Sequence, residues 1–329
     1  MASGSWSGAP PLATIPPVPK PPWSAVFLVF VPFAVFVLNA PATAQSSWRL
    51  ERPVEARVTG RFADPRLDES SGVAASRRSP GILWTHNDSG DGPYLYATDT
   101  TGAARGSFAV TGARNVDWED IALGPCGDGS CVYLADTGDN RERRPFVTLY
   151  RIPEPDLPTH HPLRTRATAA AEAITVRYPD APRDVEAMWV AANQDVHLVT
   201  KSATPVRHYR VPGSAWASRA RATAELLEQL PIRVRARPER VTGAAVSPNG
   251  KTVAVRTYAA VYFFRADDNG RLDLPAEPVA CDVRNLGVQG EGVSWLDDSR
   301  LVLTSERGNR PVGTVAVARC ALPQPVAGR

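Results

Sequence analysis

Two five-residue segments of this chain share one pattern, Asp88-Ser89-Gly90-Asp91-Gly92 and Asp136-Thr137-Gly138-Asp139-Asn140. A looser echo is Glu306-Arg307-Gly308-Asn309. Other acidic tips are Asp68-Glu69, Asp117 to Asp120, Asp184 to Glu186, and Glu291. Carboxylates brought within a few ångströms repel, so they must protonate, pair with a cation or bind a metal ion. Hard oxygen ligands suit Ca2+, which takes about six to eight of them. The expected metal ligands are Glu69, Asp88, Asp117, Glu119, Asp136, Asp139, Glu186 and Glu291, with Ca2+ as the expected cofactor. The pattern is not an EF-hand loop. The same residues also serve as ordinary turn formers, strand caps and arginine partners, and the residues alone leave both roles open.

Positioning these groups at one place requires a repeated frame. Asp117-Trp118-Glu119-Asp120-Ile121-Ala122-Leu123 is an acidic tip running into an apolar strand. Versions of it begin at Glu69, Asp184, Val241 and Gly290, and each is followed by a turn and two more strand-like runs. Aligned on Ser71, Glu119, Glu186, Thr242 and Glu291, the units are spaced by 48, 67, 56 and 49 residues. Four-strand units at this period match propeller blades. The predicted fold is all-β, a five-bladed β-propeller, with six blades as the alternative if an insertion hides a degenerate unit. Outer strands are predicted at Ala104 to Gly112, Glu172 to Tyr178, Leu230 to Arg237 and Pro278 to Leu286. Glu154 to Ala171 is read as an insertion loop, and Ala215 to Leu230 as containing a helical turn or two. The last unit supplies three strands, and Val54 to Phe62 is predicted to add its fourth, closing the ring and removing an exposed edge.

In such a ring the first strand of every blade lines the axis, so the acidic tips converge on one mouth. Side-chain alternation aims Glu69 with Ser71, and Asp117 with Glu119, at the axis. Lys201, Arg256 and Arg307 reach the same end, with His86 and Tyr258 beside them. These five are the expected ligand-binding group, suited to a small polar or anionic molecule beside a cation. Pairing with neighbouring carboxylates is their competing role. His160 and His161 fall in the insertion and read as solvated. Trp84, Trp118, Trp189 and Trp295 read as packing between blades. No Gly-x-Ser-x-Gly, His-Glu-x-x-His, Walker or dinucleotide-binding pattern occurs.

The chain has 329 residues, 43% of them hydrophobic, and a net charge of +3. Residues 45–329 are expected to form one domain. Only Lys20, Lys201 and Lys251 among the 37 basic residues are lysine. No basic run interleaved with aromatics points to nucleic acid. Residues 1–44 read as an export signal. The apolar run Ala25 to Leu38 contains Pro32 and is shorter than the roughly 20 residues of a bilayer span. Ala42-Thr43-Ala44 follows as a small-x-small cleavage site. An uncleaved membrane anchor is the alternative, because Lys20 is the sole positive residue before the run. The expected location is secreted or extracytoplasmic. Four cysteines in an exported chain indicate disulfides. Cys126 and Cys131 flank a turn between two strands and lie within bridging reach, which leaves Cys281 with Cys320. A zinc site lacks a Cys-x-x-Cys or a nearby His.

Glu69-Ser70-Ser71-Gly72, His86 to Gly90, Asp117 to Ala122, Asp136 to Asn140 and Gly290-Glu291-Gly292 together resemble uncharacterised exported bacterial β-propeller proteins. More distantly they look like the phytase-like propellers, whose acidic mouth binds calcium. The resemblance runs through residues 54–320. It implies a propeller and a calcium-binding mouth, and phosphoester chemistry by analogy alone. That family usually has six blades, and none of its catalytic motifs transfers. The expected function is an exported propeller binding a divalent cation and a small polar ligand at an acidic axial mouth. A metal-assisted hydrolase, such as a phosphoesterase, is the second reading, and a non-metal interaction scaffold the third.

Overall fold

A computed structural model describes residues 50–157, 164–201, 205–218, 221–275 and 277–323. The predicted leader with its apolar run, and His160-His161, lie outside the described residues. The first strand, β1 (Glu55–Arg61), waits for the end of the chain. Blade one is β2 (Ser70–Ala75), β3 (Ile82–Asn87), β4 (Tyr94–Asp99) and β5 (Gly106–Ala109). Blade two is β6 (Trp118–Cys126), β7 (Gly129–Asp136) and β8 (Val147–Pro153), then, past β9 (Thr165–Ala167), β10 (Glu172–Arg177). Blade three is β11 (Val185–Val190), β12 (Val196–Thr200) and β13 (Val206–Val211). After α1 (Ala215–Ser218) and β14 (Ala222–Thr223) it ends on β15 (Glu225–Leu230). Blade four is β16 (Val241–Val246), β17 (Thr252–Thr257), β18 (Ala260–Ala266) and, past β19 (Leu272–Asp273), β20 (Val279–Asp282). Blade five is β21 (Gln289–Trp295), β22 (Leu301–Glu306) and β23 (Thr314–Arg319), with β1 as its outer strand.

The inner strands β2, β6, β11, β16 and β21 pack in sequence, and β21 packs back on β2. This is a five-bladed β-propeller. Each blade buries both faces, so its strands read as apolar runs such as Val261-Tyr262-Phe263-Phe264. Five buried clusters fill the seams, one between each pair of neighbouring blades. Trp84 and Trp118 sit in the seam between blades one and two, Trp189 between three and four, and Trp295 between four and five.

Ring closure follows the predicted route. β1 pairs antiparallel with β23 from Glu55↔Arg319 to Arg61↔Thr314. The Cys281–Cys320 disulfide ties β20 of blade four to the end of β23 in blade five. Cys126–Cys131 staples the β6–β7 hairpin. Two details differ from expectation. The outer strand of blade three is Glu225–Leu230, not Leu230 to Arg237, because Pro231 has no N–H to continue a ladder. The insertion after Glu154 also contributes structure, since β9 extends blade one in parallel beside β5.

One acidic tip residue is diverted from the mouth. Asp120 is fully buried and turns across the axis. Its Oδ2 accepts hydrogen bonds from the N–H of Met188 at 2.7 Å and of Ala244 at 3.0 Å. Its Oδ1 accepts from the N–H of Ile121 at 2.8 Å. One carboxylate thus ties blades two, three and four together at the hub. A Cβ on Gly72 would lie 2.9 Å from Asp120 Oδ1, so glycine leaves room for this group. Asp120→Ala strands two interblade N–H donors in a dry site, which costs about 1–3 kcal/mol each. The expected result is a thermal midpoint lower by several degrees in circular dichroism, with Asp120→Asn less affected. An unchanged midpoint for the alanine variant would remove the hub role.

Candidate functional site

The mouth is built by one backbone irregularity repeated in every blade. On each inner strand the ladder register skips between Ser70 and Gly72, Trp118 and Asp120, Val185 and Ala187, Val241 and Gly243, and Gly290 and Val293. The displaced residues are Ser71, Glu119, Glu186, Thr242 and, with Gly292, Glu291. These five are the positions that align the repeats in sequence. A β-bulge re-aims a side chain that alternation would send elsewhere. The hydroxyl residues bond to the next blade: Ser71 Oγ donates to the Glu119 carbonyl at 2.8 Å, and Thr242 Oγ1 to those of Gly290 and Glu291 at 3.0 and 3.2 Å. Glu119, Glu186 and Glu291 line a cavity of about 280 Å³ at the axis.

A second ring comes from the ends of the second strands. The residue following each bulge's ladder partner is Asp88, Thr137, Lys201, Tyr258 or Glu306. Four of these line the cavity. Thr137 Oγ1 instead donates to the Val185 carbonyl at 2.8 Å. Ser71, Asn140, Arg237, Arg240 and Gln289 complete the lining.

Two acidic triplets share one member. Asp88, Asp117 and Glu119 bring carboxylate oxygens within 4.8 Å of one another, and so do Glu119, Asp184 and Glu186. Gly138 makes the approach possible, because a Cβ there would fall 2.0 Å from Glu119 Oε1 and 2.5 Å from Asp117 Oδ2. Lys201 Nζ contacts Glu186 Oε1. Burial alone would lower the Lys201 pKa, but Glu186 and Glu119 outweigh it and hold the ammonium. Burial raises Asp117 to about 6, with Asp88 adding to it. Burial and the Asp88 charge raise Glu306 to about 7. Burial raises Glu186 to about 8, with Lys201 opposing and Asp184 adding. Burial and Glu186 put both Glu119 and Glu291 well above the usual carboxylate range. Glu291 is 3% exposed, and its Oε2 has no hydrogen-bond partner among the described residues.

Several expected site residues lie elsewhere. Arg256 is buried beneath the mouth, donating to the carbonyls of Gly292 and, at 2.7 Å, Thr304. Arg307 falls one residue past the Glu306 position and pairs with Asp68 at 3.3 Å. His86 is buried edge-on to Trp118, with Nδ1 2.9 Å from the Asn87 carbonyl. Burial holds its pKa down at about 4. Glu69 is outside the cavity lining, and its carbonyl accepts the Asp88 N–H. Asp136 pairs with Arg144 at 2.8 Å, and Asp139 accepts the Arg144 N–H at 2.5 Å. The second Asp-Thr-Gly-Asp-Asn copy therefore lends the mouth its glycine, while its acids brace the following loop. Asp184, Glu306, Arg237 and Arg240 are the groups that the expected set lacked. The spacing Asp117-x-Glu119 recurs as Asp184-x-Glu186 and could have revealed the first.

Fold and site together define a propeller with an acidic axial mouth. No protein-family model matches the chain, and no curated protein sequence matches it. Solved structures do. The PQQ-bound aldose sugar dehydrogenase of Streptomyces coelicolor is similar over 82% of this chain and 99% of its own, at 11% identity and TM-score 0.45. The calcium-binding protein regucalcin of Agrobacterium tumefaciens is similar over 80% and 96%, at 13% identity and TM-score 0.44. A luciferin-regenerating enzyme is similar over 82% and 98%, at 8% identity and TM-score 0.42. At these values the mouth has to be interpreted from its own residues.

The raised carboxylates set a pH dependence. Their folded pKa values exceed the unfolded ones, so their stabilisation is complete near pH 4 and is lost as pH rises through about 6, 7 and 8. In EDTA, the thermal midpoint is expected to fall between pH 5 and pH 8, reflecting roughly 2–4 kcal/mol in sum. Glu306→Gln should flatten the upper part of that curve. A level profile for the unaltered chain would mean that these acids are already compensated.

Proposed function

We propose that the mouth binds a divalent cation, with Ca2+ as the best match, and a small polar or anionic ligand beside it. The observation that carries this reading is the buried, unpartnered Oε2 of Glu291 in a cavity where two acidic triplets meet. A carboxylate oxygen in a dry site must either take up a proton or be compensated by a cation, and a bound cation serves all the crowded acids at once. The groups facing the cavity that could ligate a cation are carboxylate, hydroxyl and amide oxygens, with no sulfur or imidazole among the lining residues. That chemistry suits a hard cation. Asp88, Asp117 and Glu119, with Glu186 and Glu291 close by, are the residues that would hold it.

A second reading, metal-assisted hydrolysis of an anionic ester, is favoured by one feature. Arg237 and Arg240 line the same cavity as the carboxylates and take the anion-facing place expected of Arg256 and Arg307. A bound cation supplies charge neutralisation and a more acidic water. Arg237 lies over the Tyr258 ring at 5.2 Å and donates to Gln289 Oε1 at 2.9 Å, which fixes its direction. We also infer an extracytoplasmic location. Two disulfides are the kind of link that oxidising compartments preserve. Among the described residues no helix is long and apolar enough to cross a membrane.

Thermal melting after EDTA treatment, repeated with added Ca2+, tests the cation. At 100 times the dissociation constant a native-state ligand adds about 2.7 kcal/mol, a shift of several degrees for a domain of this size. Glu119→Gln, which alters the group shared by both triplets, is expected to abolish the shift while circular dichroism stays native. An unmoved midpoint in the unaltered chain would exclude a tightly held cation. A phosphatase screen separates the second reading: activity should appear with Ca2+ and disappear in Glu119→Gln.

A further inference from the structure

We propose that Lys201 occupies the second acidic triplet as a tethered cation, so that the mouth takes one divalent ion, at Asp88, Asp117 and Glu119. This rests on the cation reading above and specifies its site and stoichiometry. Two triplets sharing Glu119 look at first like a paired-metal site. Their members are not equally free. In the second triplet Glu186 is in contact with the Lys201 ammonium, and Asp184 Oδ1 accepts the Asp139 N–H at 2.8 Å. The side chains of Lys201 and Glu186 are 12% and 2% exposed, so this pair is shielded from screening by solvent. A divalent ion on Glu186 would sit about 2.3–2.6 Å from a carboxylate oxygen, within a few ångströms of Nζ and repelled by it.

The first triplet is the opposite case. Asp88 and Asp117 are partly exposed, which provides an entry path, and among the described residues neither forms an ion pair with Lys or Arg within 4.0 Å. The buried, unpartnered Oε2 of Glu291 belongs to a side chain that lines the same cavity as Asp88 and Glu119. An ammonium is a compact point charge with three donors, able to fill a cation-sized gap between carboxylates.

Equilibrium dialysis against Ca2+ with metal analysis tests the proposal on the full chain. The unaltered protein should bind one ion per chain and Lys201→Met two, with Lys201→Arg remaining at one. Asp117→Asn should weaken the first ion by about tenfold or more, within the range for lost metal contacts, and Asp184→Asn by less than about threefold. That ranking stands as a test even if Lys201→Met fails to fold. Two ions in the unaltered chain, one in a folded Lys201→Met, or the reverse ranking of Asp117→Asn and Asp184→Asn would overturn it. No ion in any variant would instead defeat the cation reading itself.

Discussion

The innermost strand of a propeller blade pairs on one side and presents its other ladder edge to the axis. Unsatisfied backbone N–H and C=O groups are costly wherever water is excluded. Five such edges meet here, and polar side chains from neighbouring blades answer them. Asp120 takes the N–H groups of Met188 and Ala244. Ser294 Oγ takes that of Ala75 at 3.0 Å, and Trp295 Nε1 donates to the Ala245 carbonyl at 3.0 Å. Ser71, Thr137 and Thr242 do the same for carbonyls nearer the mouth. The hub is therefore polar by necessity, although the seams around it are apolar. Asp120 also divides the axis. Past it lies a cavity of about 370 Å³ lined largely by Ala, Val and Trp, while the acidic cavity lies on the bulge side.

Repetition reproduces positions, and each blade then fills them with different chemistry. The bulge position carries Ser, Glu, Glu, Thr and Glu, and the second-strand position carries Asp, Thr, Lys, Tyr and Glu. Hydroxyls at these places become ties between blades. Charged groups have no backbone to satisfy and turn to the cavity instead. This division explains why the two adjoining triplets, Asp88, Asp117, Glu119, Asp184 and Glu186, draw on blades one to three. Function at such a site is a matter of which blades kept a charge, not of the ring itself.

The repeat period, the ring closure by β1 and both disulfides were legible in the chain, because each rests on spacing and apolar runs. The aim of individual side chains was not. Strict alternation sends Asp117 and Glu119 to one side and gives Asp120 no special role. A bulge adds one residue and changes that arithmetic. No residue type announces it here, since Ser71, Glu119, Glu186 and Thr242 are not glycines. Register misled in the same way at blade five, where Glu306 rather than Arg307 follows the bulge partner Ser305. Arg256 looked free because a buried guanidinium bonded to two carbonyls leaves no sequence signature. The Asp-[Ser/Thr]-Gly-Asp copies looked equivalent and are not: Asp88 reaches the mouth, while Asp136 is held by Arg144.

Lys201 is the residue whose identity says most. Arginine supplies nearly all the positive charge of this chain, and only Lys20, Lys201 and Lys251 depart from that habit. Lys251 pairs on the surface with Asp268, where either cation would serve. Lys201 stands on the axis against Glu186, among the carboxylates that line the cavity. A guanidinium prefers a bidentate, coplanar carboxylate, whereas an ammonium distributes its donors around one point. At the centre of the acidic ring, a compact tethered point charge suits a gap among carboxylates better than a planar fork does.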